Sequence, residues 1–208
     1  MWTRTALGVC LAATLVTFAM AEAATVRVRG TVEQVDGSVV TVVTAMGDKM
    51  AIALTADTKI VAIVKSSLAS IQPGSFVGAT ALPESDGSWK AIEVHIFPES
   101  MRGAGEGDRP YDYKPKSTMT NGTVRTLAKS SVDGTVEKAD STAIVIGYRD
   151  GEKRITITSE TVIVAYETAQ RDELKPGAKV YISAATRQPD GSYVTSRVNV
   201  GRGIAPPN

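Results

Sequence analysis

The feature that most limits what this chain can fold into is an internal repeat. Gly30-Thr31-Val32-Glu33 recurs as Gly134-Thr135-Val136-Glu137, 104 residues further on. Gly47-Asp48-Lys49 and Gly151-Glu152-Lys153 keep that offset. Thr58-Lys59-Ile60-Val61 falls on Thr161-Val162-Ile163-Val164 at 103, as Pro73-Gly74 falls on Pro176-Gly177. Asp86-Gly87-Ser88-Trp89 returns as Asp190-Gly191-Ser192-Tyr193, and Glu93-Val94-His95 falls on Arg197-Val198-Asn199, both at 104. Anchors in one order with a one-residue drift mean a duplicated module, hence one fold used twice.

The shared residues describe β-structure. Val26-Arg27-Val28-Arg29 alternates apolar and charged, as does Arg154-Ile155-Thr156-Ile157-Thr158 between polar and apolar, the pattern of strands with one buried face. Met50–Leu54, Ala91–Ile96 and Thr195–Val200 read the same way, rich in residues that suit a pleated surface. Asp36-Gly37, Asp86-Gly87, Asp150-Gly151 and Asp190-Gly191 separate strand-like runs and mark tight turns. Before each Pro-Gly pair lies a short stretch, Ser66–Ser70 and Arg171–Leu174, long enough for one helical turn only. Three strands, a turn and two strands per copy predict an OB-like five-stranded barrel, with a small sandwich as the alternative. Asn121-Gly122-Thr123-Val124 also resembles the start of a module and predicts a leading strand that pairs with Gly134–Lys138.

Arg4, an uncharged run from Thr5 to Ala21, and small residues at Ala19, Ala21 and Ala23 together predict a cleaved signal peptide over residues 1–23. Cys10, the single cysteine, leaves with it, so no disulfide, thiolate nucleophile or cysteine metal ligand is expected in the mature chain. Export without disulfides points to a bacterial periplasm. The modules are expected at 25–97 and 122–201, with an inter-module loop at 98–121 and a tail at 202–208. Net charge is −2 over residues 25–100, +1 over 101–121 and +2 over 122–208, which argues against a nucleic-acid partner. No second apolar run is long enough for a membrane-spanning helix, which argues against a permease or channel.

The order GTVE, Asp-Gly, DTKIV, PGSFV, DGSW and EVHI, with TVIV, LKPGAKV and DGSY in the second copy, resembles the bacterial exported modules of domain-of-unknown-function family 5666. The resemblance covers nearly the whole mature chain. It implies the barrel fold and supplies no catalytic residues. The stretch from Pro98 to Gly107, continued by Ser117–Gly122, is similar to a subgroup sometimes labelled as metal-transport components, which implies a link to metals.

The unduplicated segment FPESMRGAGEGDRPYDYKPKSTMTNG, residues 97–122, carries glycines and prolines that disfavour regular structure, yet also tyrosines, methionines and charges. As a plain linker it packs its tyrosines on a barrel. As a binding loop it presents Arg102, Glu106, Asp108, Arg109, Tyr111, Asp112 and Tyr113. For a soft metal the candidates are His95, Met101 and Met119, since thioethers suit Cu(I). His95 is the only histidine, and its repeat counterpart Asn199 cannot do the same chemistry. Gly103–Gly107 lacks the lysine and hydroxyl of a phosphate loop. No cofactor motif is present. The expectation is a non-catalytic binding or interaction protein of the envelope, taking an envelope protein or an extended ligand. The alternative is a metal-handling accessory protein.

Overall fold

The Val-, Ile- and Thr-rich runs become strands, and the Asp-Gly pairs become turns with left-handed Gly37, Gly87 and Gly191. In the computed structural model, residues 24–111, 113–129 and 141–206 are described, so the expected signal peptide and the Gly134–Lys138 strand lie outside them. The first repeat forms β1 (Thr25–Asp36), β2 (Val39–Thr44), β3 (Lys49–Lys65), β4 (Phe76–Pro83) and β5 (Trp89–Ile96). After a short β6 (Gly107–Pro110) come β7 (Thr118–Lys129), β8 (Thr142–Tyr148), β9 (Gly151–Ile157), β10 (Val162–Thr168), β11 (Lys179–Arg187) and β12 (Tyr193–Arg202). The two predicted helical turns are 3-10 turns at Leu68–Ser70 and Arg171–Glu173.

The barrels do not coincide with the repeats. β1, β2 and β3 of the first repeat close with β11 and β12 of the second, in the order β1-β2-β3-β12-β11 and back to β1, with β3 and β12 parallel. β7, β8 and β9 close with β4 and β5 of the first repeat. Here β5 and β9 are parallel and meet at one pair, Lys90 and Thr156. Each barrel keeps the OB-like strand order but takes its last two strands from the other repeat. The expected modules at 25–97 and 122–201 therefore mark the repeats and not the closed barrels. The cause lies in β3. Its 17 residues span roughly 55 Å at about 3.3 Å per residue, far beyond one small barrel. The chain is carried out of the first barrel before the Ser66–Ser75 connection turns it into β4.

Both cores show the exchange. Val28, Val32, Val42 and Ile52 pack with Leu174, Val180, Ile182 and Val198 in the first barrel. Ile71, Val77, Ala79 and Val94 pack with Ile144, Ile146, Ile155 and Ile157 in the second. Small reciprocal bonds lock it. Thr58 Oγ1 donates to the Thr195 carbonyl at 2.8 Å, and its repeat mate Thr161 donates to the Ala91 carbonyl at 2.9 Å. Each hydroxyl thus ties one repeat to the fifth strand of the other. Between the barrels, the end of β3 pairs antiparallel with β10, so one sheet runs through both.

The leading strand of the second repeat pairs with β8 and β4. Gly122 takes the place that Gly30 has in the first barrel. A Cβ on Gly30 would lie 2.1 Å from the Val43 oxygen, and one on Gly122 would lie 2.4 Å from the oxygen of Gly147, the repeat mate of Val43. The segment expected as a loop at 98–121 is largely built into the second barrel. A 3-10 turn forms at Glu99–Met101, β6 lies along the start of β7, and Pro110 sits on the exposed edge, where its missing N–H costs nothing.

Candidate functional site

Among the described residues, a pair of clefts related by the repeat offset opens where the barrels meet. The first, about 830 Å³, is lined by residues 58–61 of β3, 167–171 at and beyond the end of β10, Arg197 of β12, and 100–104 of the inter-repeat segment. The second, about 600 Å³, is lined by residues 161–164, 65–68 and 157–160, with Ile204 and Ala205 of the tail. Duplication repeats the shape, but the chemistry differs. The first cleft has Lys59, Arg102, Arg171 and Arg197 against one carboxylate, Glu167. In the second, the mate of Lys59 is the exposed Val162 and the mate of Arg171 is Leu68. The mate of Arg197 is Glu93, which does not line it.

The strands dictate how the cations are presented. Ile60 and Ala62 point into the first core, as do Val198 and Val200, so Lys59 and Arg197 face outward. They are direct partners in the parallel β3–β12 ladder. Glu167 is held by Arg202 at 2.6 Å. Arg171 donates to the Thr55 carbonyl, and Arg102 forks onto Glu99 while reaching the Gly74 carbonyl. Lys59 and Arg197 form no ion pair among the described residues.

Behind the cleft runs a buried polar chain. The Tyr166 hydroxyl of β10 lies 2.5 Å from His95 Nδ1, and His95 Nε2 contacts the Glu93 carboxylate. A neutral imidazole beside a carboxylate carries its proton on the nitrogen facing Glu93, so Nδ1 accepts from the Tyr166 phenol. Burial alone holds the His95 pKa down to about 4. Burial likewise pushes the Tyr166 phenol up, helped by Glu93 and weakly opposed by Arg197, which also lines the cleft. Phe97 packs on Tyr166 at 5.0 Å. Beyond it, Tyr111 hydrogen-bonds Tyr181, and both are covered by cations, Arg27 over Tyr111 and Arg29 over Tyr181.

The seven expected loop residues do not form one site. Arg102 lines the first cleft. Glu106 and Arg109 are exposed, Arg109 donating to the Gly105 carbonyl. Asp108 pairs with Lys153 at 3.1 Å. Tyr111 joins the polar chain, Tyr113 lies exposed beside Lys114 at 5.7 Å, and Asp112 lies outside the described residues. Of the soft-metal candidates, Met101 lines the first cleft, while His95 and Met119 are buried on the outer face of the second barrel. Met119 faces Thr80 on β4, and His95 stands a further strand away on β5, on the order of 10 Å across at about 4.8 Å per strand. Among the described residues no three of His, Cys, Asp or Glu gather as for a metal ion. Sequence reasoning missed Lys59, Arg171 and Arg197. The signal was available where the two copies differ in charge, at Lys59 against Val162 and Arg197 against Glu93.

The architecture defines a class: tandem OB-like barrels joined by reciprocal exchange of their last two strands. The chain belongs to the domain of unknown function family DUF5666, whose model matches residues 29–95 and 133–199. No curated protein and no solved structure matches it.

Proposed function

We propose that this chain is a non-catalytic binding protein of the bacterial envelope, exported to the periplasm, and that it engages its ligand in the first inter-barrel cleft. The observation that carries this reading is the unequal decoration of two clefts that the duplication made alike. The unduplicated segment lines one of them, together with four cations. Pockets at domain junctions are common binding sites, and one shaped by a rigid sheet on either side is largely preformed. The sole imidazole lines neither cleft, which favours binding over proton-transfer chemistry there.

A photo-reactive residue at Ser100, inside the cleft, tests it against one at Met46, which is 92% exposed on the β2–β3 turn. In periplasmic extract the Ser100 probe should yield a discrete adduct that the Met46 probe does not. The same adducts from both positions, or none from Ser100, would remove the cleft from consideration.

A further inference from the structure

We infer that the ligand of the first cleft is a small free oxyanion carrying several negative oxygens, phosphate or carboxylate, held between Lys59 and Arg197; this rests on the cleft being the binding site. Direct partners in a parallel ladder stand about 4.8 Å apart on one face. Two like charges so placed repel, a cost that sheets relieve with an opposite charge. Here the one carboxylate lining the cleft is taken by Arg202. Arg102 and Arg171 are anchored by Glu99 and by the Thr55 carbonyl, which leaves the ladder pair as the attractive centre. A bound oxyanion would bridge ammonium and guanidinium, the planar fork of Arg197 taking two oxygens and Lys59 acting as a point charge. The symmetry-related cleft provides an internal control of similar shape, since Val162 replaces Lys59 there.

The site also has a built-in reporter. Arg197 acts electrostatically on Tyr166, and Tyr166 is bonded to His95. An anion that neutralises Arg197 removes that field and should move the resonances of the only imidazole in the chain.

The test titrates the exported chain with pyrophosphate and separately with citrate at constant ionic strength, following the His95 C2–H resonance and the heat of binding. The expected result is saturable binding with a Kd on the order of 0.1 mM or tighter. Lys59→Gln and Arg197→Gln should each weaken it at least tenfold, while Val162→Gln leaves it unchanged. A linear response to both probes, or an unchanged Kd in Lys59→Gln, overturns the inference. Lys59 is exposed, so this variant keeps the test alive should Arg197→Gln fail to fold. Vesicles containing phosphatidylglycerol separate the sources. Absence of co-sedimentation supports a free anion, whereas co-sedimentation lost in Lys59→Gln overturns the free source in favour of a headgroup phosphate. A Ser100 adduct alongside null titrations would sink the oxyanion while sparing the cleft; failure of both would end both readings.

Discussion

Tyr166 and His95 belong to different repeats and lie 71 residues apart, yet they meet at the junction of the barrels, phenol oxygen to Nδ1 at 2.5 Å. The bond exists because β10 and β5 run parallel side by side, a pairing that only strand exchange produces. With Glu93 on its other nitrogen, His95 is fully engaged as a neutral ring. The polar chain is thus a structural joint between the repeats.

That joint makes stability depend on pH. The His95 pKa is about 4 in the folded protein and about 6.5 when unfolded. As pH falls below about 6.5 the unfolded chain takes up the proton first, so stability declines until about pH 4 and then levels off for this group. The full linkage is worth at most about 3 kcal/mol, because the Glu93 carboxylate beside Nε2 favours the protonated ring and offsets part of the burial cost. Urea unfolding at pH 7.5 and 4.5 should show this loss. His95→Asn, which copies Asn199 of the other repeat, should be less stable at pH 7.5 by about 1–3 kcal/mol, with a flatter profile between the two pH values. An unchanged profile would mean that other groups set the acid sensitivity.

The exchange predicts that the two halves cannot part. Gly103 lies in a left-handed turn with open space around it and accepts an inserted protease site. Cleavage there separates β1–β5 from β6–β12, but each barrel still needs strands from both pieces. The nicked protein should elute as one species and unfold in one transition. Fragments that separate without denaturant would show that the barrels close within repeats.

Much of this architecture is legible in the chain. The alternating runs, the Asp-Gly turns, the short turns before the Pro-Gly pairs and the OB-like strand count all follow from local chemistry. The exchange is hidden for a physical reason. Val28 and Val32 need strands such as Val180–Ile182 or Val77–Ala79 to close over them, and both repeats offer nearly the same surface. Pairing preference therefore does not say which copy supplies the partner. The continuous β3 decides it. His95 was legible as part of the Ala91–Ile96 strand, but not as buried, because Tyr166, which lies against it, comes from the other repeat. In the inter-repeat segment Asp108 was legible as a candidate ligand carboxylate, but its pairing with Lys153, 45 residues away, was not.

That contact is itself testable. Lys153 Nζ sits 3.3 Å from the centre of the Trp89 ring, 3.1 Å from both Asp108 oxygens and 2.7 Å from Thr118 Oγ1. Burial lowers the lysine pKa, and the Asp108 bond works against that shift. A double-mutant cycle of Lys153→Met and Asp108→Asn should give a coupling of about 1–2 kcal/mol, reduced from a deeply buried pair because Asp108 remains 28% exposed. Lys153→Met should also change Trp89 fluorescence. Additive effects would reduce β6 to a loosely attached strand.

The second repeat has two candidate starts in its sequence. Both Gly122-Thr123-Val124 and Gly134-Thr135-Val136 match Gly30-Thr31-Val32 in sequence, and in the structure Gly122 holds the position. A Cβ there would press on the Gly147 backbone oxygen, which cannot swing aside as a side chain would. Gly122→Val should therefore cost more than about 3 kcal/mol or prevent the second barrel from closing, as Gly30→Val should for the first. Gly37→Ala provides the scale: its φ is 55°, but nothing lies within 4 Å of the added carbon, so only the backbone penalty of about 1 kcal/mol remains. Thermal and urea unfolding of the three variants decides the matter. Should Gly122→Val lose no more than Gly37→Ala, the strand at Gly122 is not the one that closes the barrel.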